Sequence, residues 1–198
     1  TYAGAQLSHT PENPGLRVSA EGRYAFVLEP DSLFSSNLVA YDTVDPRYPK
    51  QLSRLRLPQY AIDLAVSSET QYVAGEGVVS RIGVVTAVCP SLPDRAANLW
   101  IINLDDPEGL SDRSIIGVVS LYFPQDLSAV PVAVALHNGR AYIGNAPYRG
   151  LIVVDVEWAI SLWHDAVLQG WENPQYKAVT PYAGFGQEAI VQSLLYQS

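Results

Sequence analysis

Three segments of this chain are built alike. Asn37-Leu38-Val39-Ala40-Tyr41-Asp42, Asn98-Leu99-Trp100-Ile101-Ile102-Asn103 and Gly150-Leu151-Ile152-Val153-Val154-Asp155 are apolar runs, each closed by a carboxylate or an amide. Self-similarity of this kind marks a repeat architecture. One supersecondary unit is copied, and each copy buries its apolar faces against its neighbours. A chain that repeats has few folds open to it.

The surroundings of the three runs repeat as well. A shorter aromatic strand precedes each: Tyr24-Ala25-Phe26-Val27, Gln71-Tyr72-Val73-Ala74 and Ala141-Tyr142-Ile143-Gly144. A polar turn leads into each of these, at 20–23, 67–70 and 137–140. Before each turn lies another strand, at 16–19, 62–67 and 132–136, and the last two alternate apolar positions with a period of two. After the first two runs come Asp45-Pro46 and Asp106-Pro107. Asp opens turns and Pro cannot continue a ladder, so the chain reverses there. Fourth strands are expected at 51–57 and 115–122. Four short antiparallel strands per unit make an all-β chain of β-propeller-type blades.

Three blades are recognisable in one repeat domain: a lead at 1–15, blade 1 at 16–58, blade 2 at 61–124 and blade 3 at 131–182. A strand at 187–193 resembles 60–67, which opens blade 2, and is expected to start a further blade. Blade 2 carries an insertion over 75–97, placed by this alignment between its second and third strands. Blade 3 carries a helical insertion near 157–168, where Trp158, Leu162 and Ala166 recur at i+4, as do Trp163 and Val167. In a four-stranded blade the 1–2 and 3–4 loops share one face, so the two insertions are expected on opposite faces.

The run Leu151-Ile152-Val153-Val154-Asp155, with Gly139-Arg140-Ala141-Tyr142-Ile143 before it, resembles the LVIVD repeat. That repeat forms blades in bacterial and archaeal β-propellers, many of them secreted or on the cell surface. Repeat one resembles it as Leu38 to Asp42, followed by the corner Asp45-Pro46-Arg47-Tyr48-Pro49. Repeat two keeps Asp106-Pro107 but has Asn103 where the family has Asp. Repeat three has Trp158-Ala159 in place of the Asp-Pro corner. The resemblance implies a fold and an extracellular or cell-envelope location, and it brings no catalytic set.

Composition narrows the function classes. The chain of 198 residues has a net charge of −8 and only two lysines, Lys50 and Lys177. The basic patch of a nucleic-acid binder is missing. Charged residues make up 16%, well below the usual quarter, which suits a chain that buries much of its surface. Cys89 is the only cysteine, which excludes an intrachain disulfide and a cysteine-cluster metal site. No apolar run approaches the roughly 20 residues that cross a bilayer as a helix. Met is absent even at position 1, so the chain is expected to be a processed piece of a longer precursor.

Chemistry is sparse. Asp42, Asn103 and Asp155 sit at equivalent strand ends, where they are expected to accept hydrogen bonds from the following turn. Glu29, Asp31, Asp105 and Asp106 read as solvated loop carboxylates without the spacing of a calcium loop. His9, His137 and His164 have no metal-ligand spacing. Cys89 has no basic neighbour to activate it. No nucleophile elbow or phosphate loop occurs. The expectation is therefore no catalytic, cofactor or metal residues. Trp158, Trp163 and Trp171 are the expected partner contacts, weighed against packing beneath the sheet.

Three blades fall short of the roughly four to eight of a closed propeller. The ring is completed by the rest of a precursor or another chain, or by a second copy, or the stack is open with capped ends. The function expected is a non-catalytic scaffold or protein-interaction module of an extracellular or cell-envelope assembly. Two alternatives stand beside it: a non-catalytic part of a propeller enzyme with its active site on other blades, and a structural piece of a virus or toxin particle.

Overall fold

The computed structural model describes residues 17–32, 34–75, 77–88, 97–121, 130–146, 150–168, 176–179 and 190–192. The first blade is a four-stranded antiparallel meander of β1 (Arg17–Glu21), β2 (Tyr24–Ser32), β3 (Ser35–Asp42) and β4 (Lys50–Leu57). The second blade is built from β5 (Tyr60–Ser67), β8 (Ile82–Val88), β9 (Ala97–Asn103) and β10 (Ile115–Ser120). The third sheet has β11 (Val130–His137), β12 (Arg140–Ala146) and β13 (Gly150–Asp155). Asn138 and Gly139 join β11 to β12, both at positive φ (48° and 73°). That conformation gives the hairpin a turn whose twist matches its strands, and Asn-Gly adopts it at the lowest cost.

The blades pack side by side through their first strands. β5 lies against β1 on one side and β11 on the other. Each blade thus has a trailing face toward the previous blade and a leading face toward the next. The leading face of blade 1 (Phe26, Leu28, Leu38, Ala40, Leu55, Leu57) meets the trailing face of blade 2 (Leu64, Val85, Ala87, Trp100, Ile102). The leading face of blade 2 (Ile82, Val84, Leu99, Ile101, Val119) meets the trailing face of sheet 3 (Val134, Ala141, Ile143, Ile152, Val154). Blade 2 is buried on both faces, which is why β8 and β9 read as near-continuous apolar runs rather than alternating ones.

The second strand of repeat two differs from expectation. Tyr72–Ala74 (β6) pairs with Gly77–Val79 (β7) as a separate hairpin, and β8 takes the blade position. The hairpin therefore lies between the first and second strands of blade 2. Cys89 and 90–96 fall outside the described residues. A 1–2 insertion shares its face with the 3–4 loops, so the hairpin lies with the helix α1 (Val156–Leu168) and not opposite it.

Blade 3 also differs. Among the described residues no fourth strand is added to β13. Instead β14 (Tyr176–Val179) pairs parallel with β10, and β15 (Ile190–Gln192) pairs antiparallel with β14. Both extend the outer edge of the second sheet to six strands; β14 falls in the span expected for blade 3, and β15 in the strand expected to start a further blade. The cause lies at the end of β13. In repeats one and two an Asp-Pro corner returns the chain to the sheet. In repeat three the Asp155 carboxylate accepts the Trp158 N–H at 3.0 Å and so caps α1, satisfying a first-turn N–H that has no acceptor within the helix.

Candidate functional site

The strand-end polar residues form one repeated device. Asp42 Oδ1 accepts the Val44 N–H at 2.9 Å and Asn103 Oδ1 accepts the Asp105 N–H at 2.9 Å. With Asp155 at the cap of α1, all three repeats satisfy the backbone that follows the strand, as expected from sequence. The residue after each strand then reaches back to the turn before strand two: Thr43 N–H to Arg23 O, Leu104 N–H to Arg81 O and Val156 N–H to Gly139 O. This aligns Leu38 with Leu99 and Leu151, and Arg23 with Arg81. Val44 N–H first, and Arg23 second, hold the Asp42 carboxyl below the usual carboxylate range. Asp45 is likewise held down by the Arg47 side chain and then its backbone N–H.

The carboxylates expected to be solvated are mostly committed. Glu29 and Asp31 lie on β2, where they pair with Arg54 (3.0 Å) and Arg56 (3.3 Å) from β4. Asp105 accepts both the Ser80 and Arg81 N–H groups, at 2.8 and 2.7 Å, and so fixes the exit from the β6–β7 hairpin. Asp106 accepts the Glu108 N–H at 3.3 Å, matching Asp45 and the Arg47 N–H at 3.0 Å. The guanidinium groups of Arg23 and Arg81 both lie about 5 Å from the Tyr24 ring centroid, within cation–π range.

Where the three first strands meet, Asp63 on β5 ties the blades together. Its Oδ1 accepts from Arg17 Nε of β1 at 3.1 Å, and its Oδ2 accepts the Val134 N–H of β11 at 2.8 Å. Between blades 1 and 2, the Ser36 hydroxyl accepts the Ala61 N–H at 2.9 Å. Two residues before Ala61, buried Gln59 Oε1 accepts from Asn98 Nδ2 (2.9 Å) and Trp100 Nε1 (2.8 Å). Asp63 and Gln59 were missed as organising residues. Their only sequence signal is a polar residue beside strand-like apolar alternation.

The tryptophans separate. Trp158 is 39% exposed in the first turn of α1. Trp163 is partly buried against the blade 1–blade 2 core, so it packs. Trp171 lies outside the described residues, as does His9. The His137 ring is 3.3 Å from Glu69. His164 on α1 lies against Gly75, where φ is +65° and an added Cβ would come within 2.8 Å of the ring. Among the described residues no three His, Cys, Asp or Glu side chains converge as metal ligands do, and no helix is long and apolar enough to cross a membrane.

The leading face of sheet 3 is the largest departure from the repeat. Leu38 and Leu99 are 0% exposed, while their equivalent Leu151 is 60% exposed. Val132, beside Gly144 on the same face, is 46% exposed. Val153, equivalent to the fully buried Ala40 and Ile101, is only partly covered. No family model, curated protein or solved structure is matched by the chain.

Proposed function

We propose that the chain is a non-catalytic scaffold or protein-interaction module of an extracellular or cell-envelope assembly, and that it forms part of a larger propeller or complex. The observation that carries this reading is the open leading face of sheet 3. Full burial of a leucine side chain contributes roughly 2 kcal/mol. Leu38 and Leu99 gain it against the next blade, and Leu151 forgoes more than half of it. An aliphatic face left in water at a repeat position that is otherwise a core interface fits a surface that another sheet covers.

The meeting place of the three first strands supports the non-catalytic part. Asp63 commits its two oxygens to Arg17 and Val134, and the neighbouring first-strand positions are mostly aliphatic. Exposed Trp158, in the first turn of α1, is the tryptophan we assign to partner contact. The envelope location rests on the resemblance to LVIVD repeats.

The test is a photo-reactive residue at position 151 in the source cell. A discrete cross-linked adduct in the envelope or extracellular fraction supports the reading. An uncross-linked chain found only in the cytosol refutes it.

A further inference from the structure

We propose that the outer edge of β13 docks one extended strand of another polypeptide, paired antiparallel and carrying the pattern small–any–aliphatic–polar–leucine. This rests on the reading of the chain as an interaction module and names the chemistry of its partner.

The three blades treat their outer edges differently. The edge of blade 1 is β4, whose Lys50, Arg54 and Arg56 place charge along it. The edge of blade 2, β10, is covered by β14. The edge of sheet 3 is β13, Gly150-Leu151-Ile152-Val153-Val154-Asp155, with no proline and no charge before its last residue. Among the described residues β13 pairs only with β12. Natural sheets guard an exposed edge with lysine, proline or a bulge, or they cover it. An unguarded apolar edge is a template for strand addition. Directly after β13 the chain does not return to the sheet as in repeats one and two, because Asp155 caps α1 and leads the backbone away from it, and among the described residues no other strand takes that place.

The other two repeats specify what fits. Opposite Leu38 and Leu99, the equivalents of Leu151, stand Leu55 and Val119. Opposite Ala40 and Ile101, the equivalents of Val153, stand Ser53 and Gly117. In order along the fourth strand these read Ser53-Arg54-Leu55-Arg56-Leu57 and Gly117-Val118-Val119-Ser120-Leu121. Both are small–any–aliphatic–polar–leucine. A donated strand of that pattern sets a small residue beside Val153 and an aliphatic one beside Leu151, and cross-strand pairs of this kind are the unit of sheet stability.

The chain provides its own probe, a fluorescein-labelled peptide with the β4 sequence Lys-Gln-Leu-Ser-Arg-Leu-Arg-Leu. It is titrated against the full chain by anisotropy, beside a scrambled peptide. Saturable binding is expected, weakened tenfold or more by scrambling, by Leu151→Lys in the chain, or by lysine at the sixth residue of the peptide (the counterpart of Leu55). Amide exchange is expected to slow at 151–155. The peptide variant keeps the test valid if Leu151→Lys fails to fold. Absence of saturable binding, equal binding by the scrambled peptide, or protection at β4 in place of β13 would overturn the proposal. A cross-link from position 151 without peptide binding removes the strand site and leaves the module reading standing. Peptide binding without any cellular cross-link does the reverse.

Discussion

Asp63 touches all three blades, so its replacement separates two kinds of contribution. Asp63→Asn keeps an oxygen acceptor for the Val134 N–H, which donates to Asp63 Oδ2 at 2.8 Å. It removes the charge facing Arg17, whose side chain is 53% exposed. An ion pair that open to water contributes about 0.2–1 kcal/mol. Asp63→Ala removes the same pair and also leaves the Val134 N–H without this acceptor, at a cost of about 1–3 kcal/mol. The expected losses are therefore about 0.5 kcal/mol for Asn and about 2–3 kcal/mol for Ala. For a chain of this size 1 kcal/mol moves the melting midpoint by roughly 2–4 °C, so Ala should lower it by roughly 5–10 °C and Asn by only about 1–2 °C. Thermal unfolding followed by circular dichroism reads both, and added salt should erase most of the Asn effect. Equal losses for the two variants would refute the reasoning, because the acceptor at Val134 would then carry nothing. An unchanged Ala variant would refute the tie altogether.

Gln59→Leu should cost about 2–4 kcal/mol, since it strands the buried donors of Asn98 and Trp100; a shift in Trp emission and a lower denaturant midpoint check it. Thr86→Val should stabilise by about 1 kcal/mol, because the buried Thr86 hydroxyl has no hydrogen-bond partner and its desolvation is uncompensated; a melting curve reads the sign. Asp42 and Asp45 have folded-state values below their unfolded ones. Their contribution is complete above the ordinary carboxylate range and is lost as pH falls through the lowered values. Asp42→Asn should thus flatten the decline of the melting midpoint on the acid side and leave its slope above neutrality unchanged.

The features that the sequence discloses best are local. Leu38, Leu99 and Leu151 lie at one register because each counts back four residues from a polar strand end, and the Asp-Pro corners mark where the chain turns. The helix is legible in the i+4 spacing of Trp158 and Leu162. The second strand of repeat two is not legible by composition. Tyr72-Val73-Ala74 has the aromatic look of Tyr24 to Val27, while 82–88 has no aromatic residue. What separates them is length, since three residues before Gly75 make a hairpin arm and seven make a blade strand. The place of β14 depends on a parallel pairing far along the chain, which no short-range pattern encodes. The roles of Asp63 and Gln59 are invisible for the same reason: each is defined by partners on other strands.

The burial of blade 2 on both faces gives the molecule an order of opening. Blade 1 can swing away by exposing only the cluster around Phe26 and Leu55, and sheet 3 by exposing only that around Ile143 and Ile152. Blade 2 has no such partial route, because releasing it empties both clusters at once. Local opening is then expected in the outer sheets, and the amides of β8 and β9 are expected to exchange more slowly than those of β1 and β13, which hydrogen exchange can check. Packing therefore favours motion of the sheet that bears Leu151 over motion of blade 2.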